Sequence, residues 1–231
     1  MNFDNQAPFP VAEYRKYQHI VPGIDGLYDS MLAVFHHELV RNDPILVVGA
    51  GGGRELELLS RSERNFEVLG VDPSASMLEL ARGYIAQEAA SRVKLFQGYV
   101  SDLDSSRKFA AATSVLVMHF LTDDGTKAEY LKSVRSKLRT GAPYIHVDVS
   151  IESDIEANNC GQVIAAHGQR IGAPEDIRNA PGQYAQDMRS VDKNCVVSPA
   201  RNIELLKGSG FEIVSMFFRS LWFTGWWARA V

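Results

Sequence analysis

Three glycines, Gly49, Gly51 and Gly53, alternate within PILVVGAGGGRELELL, residues 44–59. An apolar run enters them and a helical pattern leaves. Backbone that turns this tightly, free of side chains, lets a nucleotide come close. An acid, Asp72, follows 21 residues after Gly51, at the end of a second apolar run. An acid at that place accepts hydrogen bonds from both hydroxyls of a ribose. Further on, His119 follows a fourth apolar run, and His146 and Asp148 stand two apart on a fifth. His119 is the candidate general base. Asp148, near the end of its run, could reach the same pocket. His146 and Asp148 share one face of a strand, but no third residue has the spacing to complete a metal site with them.

The glycine loop discriminates between nucleotides. A phosphate-binding P-loop started at Gly49 needs glycine at 54 and lysine at 55. Those positions are Arg54 and Glu55. A dinucleotide loop, G-x-G-x-x-G, needs its third glycine at 54 or 56, depending on register. Those are Arg54 and Leu56. What remains is G-x-G-x-G between a strand and a helix.

That spacing resembles the first motif of the class I S-adenosylmethionine-dependent methyltransferases. The segment VDPSASMLELAR is similar to the same part of that family, and the resemblance runs from about residue 44 to 150. It implies S-adenosylmethionine as cofactor. It also implies that the backbone of Gly49, Ala50, Gly51 and Gly53 approaches the aminoacyl part and the sulfonium. By the same resemblance Asp72 takes the ribose, Pro73 and Met77 line the adenine pocket, and the backbone at Tyr99 and Val100 meets the adenine. Val117, Met118 and His119 would lie under the methionine moiety. An N-terminal segment like that of similar chains would fold over the cofactor, with Tyr14 or Arg15 meeting its carboxylate. Two positions depart from the pattern. Tyr99 stands where an acid is common, although Asp102 matches the later acid. Val47 also replaces a common acid, so the cofactor's ammonium loses one partner and loop carbonyls must serve.

These residues need a scaffold that brings strand ends together. ILVVGA, FEVLGVD, VKLFQG, ATSVLVMHF and PYIHVDVS read as strands, with helices between them. Such alternation predicts an α/β doubly wound, mostly parallel sheet. FEIVSMFFRS and LWFTGWWARAV add two strands that pair as an antiparallel C-terminal edge, for about seven in all. One domain is expected over 1–231. It comprises an arm and helix (1–43), a cofactor-binding core (44–150), a polar insertion or lid (151–197) and a C-terminal helix with strands (198–231). The arm is expected to be irregular apart from a helical turn around VAEYRKYQ. Two of the three tryptophans near the C-terminus read as core anchors of the last strands, rather than as an aromatic substrate cage.

At 45% hydrophobic, the chain can build a sizeable core. A net charge of -4 without a dense Lys/Arg run lacks the footprint of a duplex binder. No Pro-Pro pair occurs, so the Asn/Asp-Pro-Pro-aromatic motif of base and glutamine methylases is absent. DNA and RNA are therefore not the expected partners, and no apolar run suits a membrane span. Two isolated cysteines and a polar, acid-bearing N-terminus suggest the cytoplasm. The expected activity is methyl transfer to a small-molecule acceptor at O, N or C. Two alternatives stand beside it. One is a non-catalytic cofactor-binding or partner module, and the other a transfer RNA-modifying relative with a carboxymethyl donor. The sequence names neither the acceptor nor the oligomeric state.

Overall fold

Helices α1 (Tyr14–Gln18) and α2 (Ile24–Glu38) lead into the sheet. On α2, Leu27, Met31 and Phe35 fall on one face, and all three are fully buried. The computed structural model describes residues 11, 14–104, 106–175 and 195–231. Residues 1–10, 12 and 13 of the expected arm and residues 176–194 of the expected insertion lie outside the described residues.

Strands and helices then alternate as β1 (Pro44–Val48), α3 (Arg54–Ser60), β2 (Glu67–Asp72), α4 (Ala75–Arg82), β3 (Val93–Gln97), β4 (Ala111–Val115), α5 (Thr126–Ser136) and β5 (Pro143–Val149). After them come α6 (Asp154–Ile171), α7 (Pro199–Gly208), β6 (Phe211–Ser220) and β7 (Phe223–Ala230). The sheet order is β3-β2-β1-β4-β5-β7-β6. β1 to β5 are parallel, and β7 runs antiparallel to both β5 and β6. This is a Rossmann-like fold. β1 shows why its sequence is apolar throughout. Ile45 and Val47 enter one core, with Phe35 and Leu56, while Leu46 and Val48 enter the other, with Leu131 and Leu206.

The C-terminal pair forms the antiparallel edge, and β6 rather than the last strand is outermost. Burial explains the order. β7 is buried along most of its length, and Trp226 packs over His146 with ring centroids 5.7 Å apart. β6 is half-exposed, and Val214 and Met216 face outward.

The fourth strand is shorter than the apolar run ATSVLVMHF suggests. It stops at Val115, Leu116 turns into the left-handed region (φ 59), and Met118–Phe120 forms a single 3-10 turn. Leu116 still donates its N–H to Val147 O at 2.8 Å. The turn carries Val117 over the end of β1, where it packs on Gly49. The first part of the insertion is the single helix α6, capped by Ser153 and ended by Gly172 (φ 65). Among the described residues no helix is long and apolar enough to cross a membrane.

Candidate functional site

The carboxyl ends of β1, β2, β3 and β4 open onto one cavity of about 390 Å³. That size holds one drug-sized ligand. Its position is where open parallel sheets bind their ligands.

The loop after β1 is held from below. Gly49 and Ala50 both donate their N–H groups to Val71 O, at 2.8 and 3.0 Å. Gly51 N–H donates to Asp72 Oδ2 at 2.9 Å, and Ser74 N–H donates to Asp72 Oδ1, also at 2.9 Å. Asp72 therefore pins the loop while lining the cavity. Burial raises its carboxyl above the ordinary range, against the pull of those two N–H donors. Gly49, Gly51 and Gly53 are all left-handed (φ 70, 37 and 76). A Cβ on Gly49 would overlap Val117 Cγ2.

Pro73, Met77 and Val100 line one side of the cavity, and Ser74 caps α4 by accepting from Met77 N–H. Tyr99 stands at the rim, 44% exposed. Its N–H already donates to Asp102 Oδ2 at 2.8 Å, which closes the short turn Val100–Asp102. Tyr14 lines the other end, with its ring lying where a Cβ on Gly52 would be. Among the described lining residues the charged side chains are Asp72 and Glu129, both acidic. Such a field favours a cationic or neutral ligand and opposes a pyrophosphate.

Residues 45–141 match the family model described as a methyltransferase domain. A SAM-dependent methyltransferase from Aquifex aeolicus is similar in fold, with TM-score 0.62, 16% identity, 96% of this chain and all of that one covered. DhpI, solved as a complex with SAH, gives TM-score 0.61 at 18% identity over 95% of this chain and 92% of that one. The riboflavin-analogue dimethyltransferase RosA from Streptomyces davawensis gives 0.61 at 18% identity, over 90% of this chain but only 54% of that one. No curated protein matches the sequence. Residues 45–141 thus match the methyltransferase-domain family, and the solved structures share the fold of SAM-dependent methyltransferases.

Within this fold, several residues singled out by sequence do not line the cavity. Gly53 begins α3, and a Cβ there would come within 2.7 Å of Ala81 Cα, so it serves the approach of α3 to α4. Ala50 faces β2, in contact range of Gly70. Arg15 pairs with Glu57 at 2.7 Å and lies over the Tyr84 ring, 3.3 Å from its centroid. Met118 is core, and its carbonyl accepts from Lys127 Nζ at 2.6 Å. His119 is buried, with Nδ1 2.6 Å from Asp148 Oδ1. Its neighbour Phe120, ring centroids 4.1 Å away, lines the cavity in its place. Burial alone would raise Asp148, but His119, His146 and Lys127 around it hold its carboxyl below the usual range.

Other residues carried no local signal. Leu116 and Leu121, with Glu129 and Tyr130 of α5, extend the lining of the cavity. Lys127 reads as an ordinary surface lysine. It is 1% exposed, and Nζ donates to Met118 O and Cys195 O, tying the 3-10 turn to the segment before α7. Glu55, in the first turn of α3, is buried, and its carboxyl is pushed up to about 7 by desolvation.

Proposed function

We propose that the chain binds S-adenosylmethionine in the 390 Å³ cavity and methylates a small-molecule acceptor at O, N or C. The observation that carries this reading is the lining itself: left-handed glycines, a buried acid at the end of β2 and no basic side chain among the described lining residues. A sulfonium with an ammonium suits that field, and a pyrophosphate does not. In this assignment Gly49 and Gly51 admit the aminoacyl part, and Asp72 accepts from the ribose through the lone pairs its loop contacts leave. Pro73, Met77 and Val100 flank the adenine, and Tyr14 closes the methionine end. Bound there, the cofactor supplies an electrophilic methyl group on sulfur.

The protein's part is alignment, exclusion of water and, where the acceptor is protonated, a base. His119 is the assigned base. Asp148 holds its Nδ1, which leaves Nε2 for the acceptor. The residues 44–150 act as the cofactor core, and α6 in the 151–197 insertion as an acceptor wall. Cys160 and Cys195, neither in a disulfide among the described residues, suit the reducing cytoplasm. One observation favours a second reading, a cofactor-binding module without turnover: His119 is buried and does not line the cavity.

Calorimetric titration of ligand-free protein with S-adenosylmethionine, S-adenosylhomocysteine and NAD tests the cofactor. The first two should bind and NAD should not. Folded protein that binds neither adenosyl compound overturns the reading. Turnover on a panel of small acceptors, lost in His119→Ala, separates the enzyme from the module.

A further inference from the structure

The cavity at the strand ends has one wall that the strands do not build. Thr126, Glu129, Tyr130 and Ser133 of α5 all line it, and their spacing is that of a single helical face. This wall carries an acid that the packing does not need, since Glu129 is exposed. Asp72, the other acid on the described lining, already accepts from the Gly51 and Ser74 N–H groups. Among the described residues no cation pairs with Glu129.

The strand order fixes which end of the cavity this wall closes. β1, β2 and β3 are neighbours in that order, so the glycine loop, Asp72 and the turn Val100–Asp102 follow one another along the sheet edge. α5 packs against that turn, and just past the helix Lys137 Nζ donates to Leu103 O at 2.6 Å. Val100 and Ser101 line the cavity with α5. A ligand that gives its amino-acid part to the loop and its ribose to Asp72 therefore turns its base toward Val100 and α5. The open edge of an adenine carries an amine, which donates, beside a ring nitrogen, which accepts. Glu129 accepts, and the Ser133 hydroxyl, four residues on, can donate. The two patterns are complementary.

We propose that Glu129 is a specificity-determining residue of the cofactor site: its carboxylate accepts from the exocyclic amine of the adenine, and Ser133 donates to the adjacent ring nitrogen. This rests on the cofactor reading above and adds to it the groups that read the base. Pro73, Met77 and Val100 hold the ring by its faces, and α5 reads its edge.

Calorimetry with S-adenosylhomocysteine, and with its purine analogue in which hydrogen replaces the 6-amino group, tests the assignment in wild type and in Glu129→Ala. Without ligand the two proteins should melt at the same temperature, because the side chain is exposed. Wild type should bind the analogue about tenfold more weakly, the low end for a hydrogen bond to a charged group, as suits an exposed one. Glu129→Ala should lose about the same factor on S-adenosylhomocysteine and bind the two compounds alike, the signature of direct coupling. Ser133→Ala should weaken both compounds by one common factor, since both keep the ring nitrogen, and unchanged binding would remove Ser133 from the site. Wild type that binds the two compounds equally, or a Glu129→Ala variant that keeps the full preference, overturns the assignment of Glu129 and leaves the cofactor reading standing. Folded wild type that binds neither compound refutes the cofactor reading and the assignment with it.

Discussion

Glu55 makes the stability of the ligand-free protein depend on pH in a direction unusual for a carboxylate. The side chain is 5% exposed, and among the described residues its Oε1 has no hydrogen-bond partner. Desolvation pushes its carboxyl from the usual 4.5 to about 7, against a smaller pull from its own backbone N–H and from Arg54. The folded state thus holds a proton that the unfolded state releases. Stability is full below pH 4.5 and falls as pH rises to about 7, then levels off. The gap between the two values is worth about 3 kcal/mol, at about 1.36 kcal/mol per pH unit. A loss of that size is a large share of the stability of a typical domain. Glu55→Gln keeps the shape of the protonated acid and removes the titration. Urea unfolding of both proteins from pH 4 to 8 gives the contrast. The variant should match wild type near pH 4 and exceed it by about 3 kcal/mol at pH 8. Asp72 is raised for the same reason and adds to the wild-type slope, but it is common to both proteins and cancels in the difference. A difference that stays constant across the range refutes the account of Glu55 as a buried, unpaired acid.

Three further outcomes are expected. Gly49→Ala should destabilise by about 2–5 kcal/mol, the sum of a left-handed alanine and overlap with Val117. Adding Val117→Ala should recover the overlap part in urea unfolding, and no recovery would refute the packing argument. Asp72→Asn should cost the ligand-free protein about 1–3 kcal/mol, because an amide cannot accept at both ends from Gly51 and Ser74 N–H groups. An unchanged unfolding midpoint would show that Asp72 does not hold the loop. For Asp148, held low by the charges around it, the folded state favours the ionised form, so its contribution is present above pH 3.8 and fades below it. The stability deficit of Asp148→Asn, followed by acid unfolding, should therefore shrink as pH falls through that region, and a pH-independent deficit would contradict it.

The sequence by itself determined the layout of the sheet and one end of the site. Continuous apolar strands alternating with helical periods leave a parallel, two-faced sheet as the way to bury both sides of Ile45–Val48. G-x-G-x-G followed by Asp72 placed the loop and the acid at adjacent strand ends, because both lie within one β-α-β unit whose geometry is local. The tertiary structure alone decided what lines the cavity beyond that unit. ATSVLVMHF is apolar to its end, yet the strand stops where Leu116 turns left-handed, and this buries Met118 and His119 while presenting Phe120. Lys127 and Glu55 look like surface residues of amphipathic helices. Their burial comes from distant partners, the carbonyl of Cys195 in one case and the packing around α3 in the other. Tyr14 and Arg15 are adjacent in sequence, but the helical turn sends one onto the glycine loop and the other to Glu57. Spacing encodes which residues share an element's face, whereas which face meets a cavity depends on elements that approach from far along the chain.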